Sequence, residues 1–349
     1  MRKAVEDFAT RVVRWQQTHG RNDLPWQNTR DPYRVWLSEI MLQQTQVATV
    51  KAYFERFMAR CPDVASLAAA SQDEVLGLWS GLGYYSRARN LHSCAQQVMA
   101  VHGGVFPRDA LTLQTLAGIG PSTAAAIASL CFSERVAILD ANVKRVVTRV
   151  QGFDADVAVA ANARALWDAA SALLPTAARA AADMARYTQG MMDLGAMVCT
   201  PKKPMCAQCP VESDCAARKA GDPERYPVRS RTLKRSSQAI WMLWAQGHGG
   251  AVWLAKRPTP GVWAGLYCLP LFDSEAALRQ SLAPRTQEHL QCDPAFTHVL
   301  THKDLHLHAC RVPLSQKETL GDGRWVSAQE WPGLGLPAPI RKLLERTNG

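Results

Sequence analysis

The residue pattern of this chain changes abruptly after Cys215. From residue 4 to about residue 215, apolar residues recur every three or four positions, which is typical of helices with one buried face. Residues 218–236 carry two prolines, many Arg and Lys residues and no apolar period, so they are predicted to be a linker. We therefore predict a helical domain over residues 1–217 and a second domain over residues 237–349.

Local signals place several elements within these domains. Asp31-Pro32 and Pro62-Asp63 each predict a helix start, and the alanine-rich stretch 157–184 predicts helix throughout. After the linker, residues 239–245 and 251–257 form a predicted strand hairpin, and further strands are expected near 298–302 and 305–312. Helical periodicity returns at 275–282 and 340–346. The second domain is thus predicted to be α+β.

The net charge and the positions of the cysteines indicate the kind of partner and the cellular compartment. The formal net charge of +10 favours a polyanionic partner, although a basic surface that only aids solubility gives the same count. No apolar run approaches the length of a membrane span, and the first residues predict neither a signal peptide nor an anchor. Because four of the ten cysteines lie within residues 199–215, we expect a metal site in a reducing compartment, the cytoplasm, instead of disulfides.

A glycine-rich turn separates two helical patterns at residues 116–124. Gly118 and Gly120 permit positive φ angles and a bare backbone, and the amides that open the next helix can hold a phosphate. An ordinary turn between helices would look the same. Asp140 follows an apolar run farther along the chain, where it is expected to cap a helix.

A second acidic residue, Glu39, lies inside an apolar helical run. Burial would raise its pKa and suit it to donate a proton near neutral pH, whereas a position on the polar face of the helix would leave it an ordinary surface residue.

Four cysteines, Cys199, Cys206, Cys209 and Cys215, are separated by six, two and five residues. Four thiolates so close together predict one metal centre. The spacing alone leaves structural zinc and an iron-sulfur cluster as competing interpretations.

Several of these segments resemble one family. Residues 116–124 resemble the helix-hairpin-helix of the endonuclease III superfamily, and residues 38–47 are similar to the signature of MutY-type adenine DNA glycosylases. The cysteine spacing is similar to the 4Fe-4S loop of these enzymes, and residues 254–270 resemble their Nudix-like domain. The resemblance covers about residues 4 to 345.

The resemblance implies a function and a cofactor. The chain is expected to be a monofunctional glycosylase that removes adenine opposite 8-oxoguanine or guanine in double-stranded DNA, and to act as a monomer. Glu39 would protonate adenine at N7, and Asp140 would stabilise the sugar cation. Ser122 replaces the lysine that relatives with lyase activity use, which opposes lyase chemistry. The four cysteines would hold one 4Fe-4S cluster.

Further contacts follow from the same resemblance. Gln44, Leu82 and Tyr84 would wedge into the base stack, while Gly118, Gly120 and Ser122 would contact the DNA backbone. The adenine pocket would contain Trp26, Leu42, Val47 and Gln189, the last pairing with an adenine edge through both ends of its amide. Some relatives carry arginine where Gln27 stands and glutamate where Gln189 stands.

The second domain is expected to read the base opposite adenine. It lacks the glutamate-rich helix that holds magnesium in Nudix hydrolases, so hydrolysis is not expected. Thr301 and His302 are the preferred readers of 8-oxoguanine, and Thr297 with His298 is the alternative pair. Two other functions fit parts of the sequence: a pyrimidine-damage glycosylase with lyase activity, which Ser122 opposes, and a noncatalytic damage sensor, which the presence of both Glu39 and Asp140 opposes.

Overall fold

The computed structural model describes residues 6–230 and 235–346. Residues 231–234 of the predicted linker, together with the first five and last three residues of the chain, lie outside this description. Within the described ranges, every helix is too short or too polar to cross a membrane.

Among the described residues, helices dominate as far as the linker, and the first strand begins at Ser236. The helices are α1 (Phe8–His19), α2 (Pro32–Leu42), α3 (Val47–Arg60), α4 (Val64–Ala69), α5 (Gln72–Leu78), α6 (Ser86–His102), α7 (Ala110–Leu113), α8 (Pro121–Phe132), α9 (Ala141–Gln151), α10 (Ala160–Ser171), α11 (Ala177–Met197), α12 (Ala216–Lys219), α13 (Glu275–Gln280), α14 (Pro284–Gln287) and α15 (Ala338–Glu345). The strands are β1 (Ser236–Gln246), β2 (Val252–Lys256), β3 (Tyr267–Cys268), β4 (Leu271–Phe272), β5 (Gln291–Cys292), β6 (Phe296–Val299), β7 (Lys303–Pro313) and β8 (Gly323–Val326).

The predicted helix starts are confirmed by their capping contacts. Asp31 caps α2 by accepting the backbone N–H of Tyr33 at 2.9 Å, and Pro32 occupies the first turn, where its missing N–H costs nothing. Asp63 accepts the N–H of Ser66 at 2.8 Å just before α4. The alanine-rich stretch is not one helix, because α10 ends at Ser171 and α11 begins at Ala177, with Pro175 in the break.

The described residues form two compact units. The first, called here the helical unit, runs to Ala68 and from Ser93 to residue 230; the second, the sheet unit, contains Ala69–His92 and the described residues from 235 onward. In the helical unit, α11 packs against α1, α8 and α9 around buried Val, Leu and Met side chains. α8 also packs against α2, so the packing connects the helices at which Glu39, Ser122 and Asp140 lie.

The sheet unit is built on one mixed sheet. β1 and β7 are parallel along their whole length, the main strand order is β3-β2-β1-β7-β5, and β4, β6 and β8 pair with β1, β7 and β2 respectively. α15 covers one face of the sheet and α13 the other, so the central strands are buried on both sides. The predicted α+β character and the β1–β2 pairing are confirmed.

One disulfide departs from the sequence expectation. Cys292 on β5 is the register partner of Cys310 on β7, and the two sulfurs are bonded. The sequence expectation was wrong here because only the strand register brings these two distant cysteines together.

Candidate active site

A cavity of about 330 Å³ opens in the helical unit. Its wall contains Glu39 and all four residues predicted to form the adenine pocket, which are Trp26, Leu42, Val47 and Gln189. These residues come from the loop before α2, from α2 itself, from the start of α3 and from α11. The fold therefore gathers side chains that are up to 163 positions apart in the sequence (26 to 189) around one space.

Glu39 is the acidic group of this wall. It lies on α2 between residues that are packed into the core, including Leu37 and Ile40. Burial raises the pKa of Glu39 to about 7, and the negative charge of Asp140 adds to the increase. A carboxyl with this pKa is present in both forms near neutral pH, which suits it to give and take a proton.

Asp140 is the N-cap of α9. Its carboxylate accepts the backbone N–H of Val143 at 2.7 Å, so capping and catalysis are compatible uses of this side chain. Burial raises the pKa of Asp140, although the amides of α9 and the charges of Arg145 and Arg21 act in the opposite direction. Asp140 is thus held rigidly at a helix end, close enough to Glu39 for their charges to repel.

The cavity wall beside these acids is aromatic and aliphatic. Trp26 is buried and packs edge-on against Phe54, with the ring centroids 5.4 Å apart. Leu42 is the last residue of α2, and Val47 is the first residue of α3. A flat heteroaromatic ring would find apolar contact on these surfaces.

Two polar residues at the cavity, Arg21 and Asp193, are not predicted by the sequence motifs. Asp193 is fully buried, and its carboxylate accepts hydrogen bonds from the Arg21 side chain and from the amide of Gln189. Arg21 and Gln189 both lie in the cavity wall. The four-residue spacing of Gln189 and Asp193 on α11 could have indicated their contact, but no sequence pattern connects Arg21 to them.

The glycine turn forms a hairpin between α7 and α8, as predicted. Gly118 has φ +74°, in the left-handed region that favours glycine, but Gly120 has φ −83° and does not use this freedom. Gly120 has no side chain to cap α8 and Pro121 has no N–H, so the first N–H that α8 can offer is that of Ser122. The Ser122 hydroxyl accepts the N–H of Leu139 at 3.1 Å and so links α8 to the segment before Asp140.

The three predicted wedge residues differ in exposure. Gln44 and Tyr84 are exposed, and both have positive φ angles, +58° and +47°, which non-glycine residues rarely adopt. Leu82 is only 6% exposed, so its side chain does not project from the surface as a wedge would. In the sheet unit, the Tyr84 hydroxyl lies 2.5 Å from the Thr301 hydroxyl.

The four clustered cysteines line one small cavity in the helical unit and are free thiols. The buried guanidinium of Arg149 donates a hydrogen bond to the sulfur of Cys199 at 3.3 Å, which places a positive charge beside the thiols. Across residues 6–230 and 235–346, no three His, Cys, Asp or Glu side chains are arranged to hold a single metal ion. In number, donor chemistry and adjacent charge, the four thiols fit a negatively charged sulfur-ligated cluster.

Both pairs of candidate reader residues lie at the β6–β7 connection. Thr297 and His298 are on β6, whereas Thr301 and His302 are exposed in the turn that follows. Thr297 contacts His306 of β7 at 3.3 Å, so its hydroxyl already has a neighbour within the sheet.

Comparisons with known proteins agree with this arrangement. Residues 37–170 match the family model of HhH-GPD superfamily base excision DNA repair proteins, and residues 240–346 match the NUDIX domain. The adenine DNA glycosylase of Buchnera aphidicola subsp. Acyrthosiphon pisum is 33% identical over 97% of both chains. The human adenine DNA glycosylase is 43% identical over 99% of this chain and 74% of its own length.

A solved structure supports the fold of the helical part. A thermostable thymine-DNA glycosylase aligns with a TM-score of 0.54 and 29% identity, covering 61% of this chain and 95% of its own. The expected fold class and the expected type of enzyme, a DNA glycosylase, are confirmed by these matches. The chain therefore belongs to the family of adenine DNA glycosylases.

Proposed function

We propose that this protein removes adenine from double-stranded DNA where adenine is mispaired with 8-oxoguanine or guanine. One observation carries the proposal: Glu39, with its pKa near 7, lies in the wall of a cavity that also contains Trp26 and Gln189, and it interacts with the charge of Asp140. A proton donor, an aromatic wall and an anionic neighbour are the groups that departure of a purine requires.

The proposed reaction follows from these positions. Glu39 donates its proton to N7 of adenine, and the C1′–N9 bond then breaks with its electron pair remaining on the base. The Asp140 carboxylate stabilises the positive charge that develops on the sugar. Water adds to C1′ and gives its proton to the Glu39 carboxylate, which restores the starting form of the enzyme.

The product of this reaction is an abasic site with an intact strand. Ser122 stands where relatives that cleave the strand have lysine, and its hydroxyl is engaged with the backbone of Leu139. A hydroxyl cannot form the Schiff base on which lyase chemistry depends.

Access to the glycosidic bond requires the adenosine to leave the base stack. Gln44 and Tyr84, exposed on strained backbone, are the proposed wedges, and Leu82 would join them only after leaving its buried position. The amides of Gly120 and Ser122 at the start of α8 are proposed to hold a phosphate. Thr301 and His302 are the proposed readers of the opposite base, because they are exposed and Thr301 adjoins Tyr84.

We infer that Cys199, Cys206, Cys209 and Cys215 hold one 4Fe-4S cluster. Four thiols line one small cavity, and their spacing is similar to that of the 4Fe-4S loop of related glycosylases. The cluster would fix the fold of the loop that carries Lys202 and Lys203, two cations that can meet DNA phosphates. The protein is proposed to act as a monomer in the cytoplasm on chromosomal DNA, with 1–217 and 237–349 as its domains and 218–236 as the linker.

The test uses the full chain and duplexes that carry adenine opposite 8-oxoguanine, guanine or thymine. We expect abasic sites opposite 8-oxoguanine and guanine but not thymine, and strand breaks only after alkali. Asp140→Asn should abolish release while leaving duplex binding, and Asp154→Asn, an exposed aspartate beyond α9, is the matched control. Wild-type release that equals that of Asp140→Asn would refute the proposal.

A further inference from the structure

Two amide side chains in the cavity wall have orientations that their neighbours impose. Gln189 contacts the Asp193 carboxylate at 2.9 Å, and a carboxylate can only accept, so the nitrogen of the amide must face Asp193. Gln27 contacts the backbone N–H of Leu24 at 3.2 Å, and this group can only donate, so the oxygen of that amide must face Leu24.

The opposite end of each amide is what remains for a ligand. Nε2 of Gln27 is buried and lacks a hydrogen-bond partner among the described residues, which is costly unless a ligand or a water molecule in the cavity supplies an acceptor. Oε1 of Gln189 is the end turned away from Asp193. Both residues lie in the wall of the same cavity as Glu39.

Asp193 is itself held firmly. Its side chain is fully buried and accepts from Nε of Arg21 at 2.8 Å, from Nη2 at 2.7 Å and from the backbone N–H of Arg21 at 3.0 Å, in addition to Gln189. A buried, charge-assisted pair of this kind leaves the carboxylate no other position. Arg21 and Asp193 thereby determine which end of Gln189 the cavity receives.

We propose that Arg21 and Asp193 are positioning residues that make the base pocket specific for a 6-aminopurine, with Gln189 as a fixed acceptor and Gln27 as a fixed donor. The 6-amino group of adenine is a donor beside ring-nitrogen acceptors, which matches this pair. Guanine presents O6, an acceptor, at the same position. O6 and Oε1 of Gln189 would then face each other with no hydrogen between them. The inference rests on the proposed excision of adenine.

The test compares excision of adenine and of unsubstituted purine, which lacks the 6-amino group, placed opposite 8-oxoguanine under single-turnover conditions. For each variant, the rate with adenine is divided by the rate with purine, and this ratio is then divided by the wild-type ratio. The division cancels the intrinsic difference between the two leaving groups. In Asp193→Asn, whose amide can accept or donate, we expect this ratio to fall about tenfold, the worth of one hydrogen bond. Asp183→Asn, which alters an aspartate paired with Arg179 on the same helix, should leave the ratio unchanged.

A double-mutant cycle separates positioning from a general structural effect. Gln189→Leu should lower the same ratio about tenfold, and adding Asp193→Asn should lower it no further, because Asp193 acts through Gln189. A wild-type ratio in Gln189→Leu would overturn the inference even if Asp193→Asn did not fold, and additive losses would overturn the role of Asp193. Absence of adenine release by the wild-type protein would instead refute the proposed function.

Discussion

The acidic residues of the cavity and those of the sheet unit have opposite environments. Glu39 and Asp140 form no ion pair in the described structure, and burial raises the pKa of both. In the sheet unit, Asp293 pairs with Arg311 and Glu330 with Arg324 at partly exposed positions. Acids that remain unpaired and desolvated are available for proton transfer, whereas acids paired at the surface are screened by solvent and contribute little to stability or chemistry. The contrast supports the proposal that the chemistry takes place in the helical unit.

The largest effect is expected from removal of the acid in the cavity. Glu39→Gln keeps the size of the side chain but has no proton to give to the base, so the single-turnover rate should fall roughly 10²- to 10⁴-fold. Quench-flow or gel measurement of abasic sites in an A:8-oxoguanine duplex gives this rate. Glu55→Gln, which alters an exposed glutamate on α3, should retain the wild-type rate. Equal rates in both variants would place the acid elsewhere.

The excision rate should depend on pH through the two acids of the cavity, Glu39 and Asp140. Glu39 must be protonated, so the rate should fall about tenfold per pH unit above its pKa of about 7. Asp140 must be ionised to stabilise a cation, so the rate should also fall at acidic pH, starting above the usual aspartate value because its pKa is raised. Single-turnover rates from pH 4 to pH 9 test this bell shape. A flat alkaline limb would exclude Glu39 as the proton donor.

A smaller effect is expected at the β6–β7 connection, where two threonines compete as readers of the opposite base. Thr301→Val removes a hydroxyl without a large change of shape and should reduce the preference for 8-oxoguanine over guanine by about 3- to 10-fold. Thr297→Val is the matched variant and should leave that preference unchanged. Competition binding with the two duplexes measures the effect, and the reverse result would identify Thr297 as the reader.

The smallest effect is expected for a paired acid of the sheet unit. Asp293→Asn breaks a partly exposed ion pair, which should cost less than about 1 kcal/mol of the free energy of unfolding and leave the excision rate within about twofold. Urea denaturation and the standard excision assay measure the two quantities. A large loss of excision would show that the sheet unit contributes acids to the chemistry. It would contradict the contrast between the unpaired acids of the cavity and the paired acids of the sheet unit.

Local sequence determined the features that depend on near neighbours. Asp31-Pro32 starts α2, Gly118 takes the left-handed turn, and Asp140 caps α9, because capping and turn chemistry act over a few residues. The change after Cys215 likewise predicted where helices give way to strands. The break between α10 and α11 could have been expected from Pro175, but the high alanine content outweighed it in the prediction.

Tertiary structure alone decided which distant side chains meet. The motif of residues 38–47 identified Glu39 as a candidate, but its raised pKa depends on packing around α2 and on the charge of Asp140, a hundred positions away. The bond between Cys292 and Cys310 depends on strand register, and the orientation of the Gln189 amide depends on Arg21 reaching Asp193. Desolvation, register and hydrogen-bond direction are properties of atoms close in space, which is why a linear sequence indicates the participants but not their final arrangement.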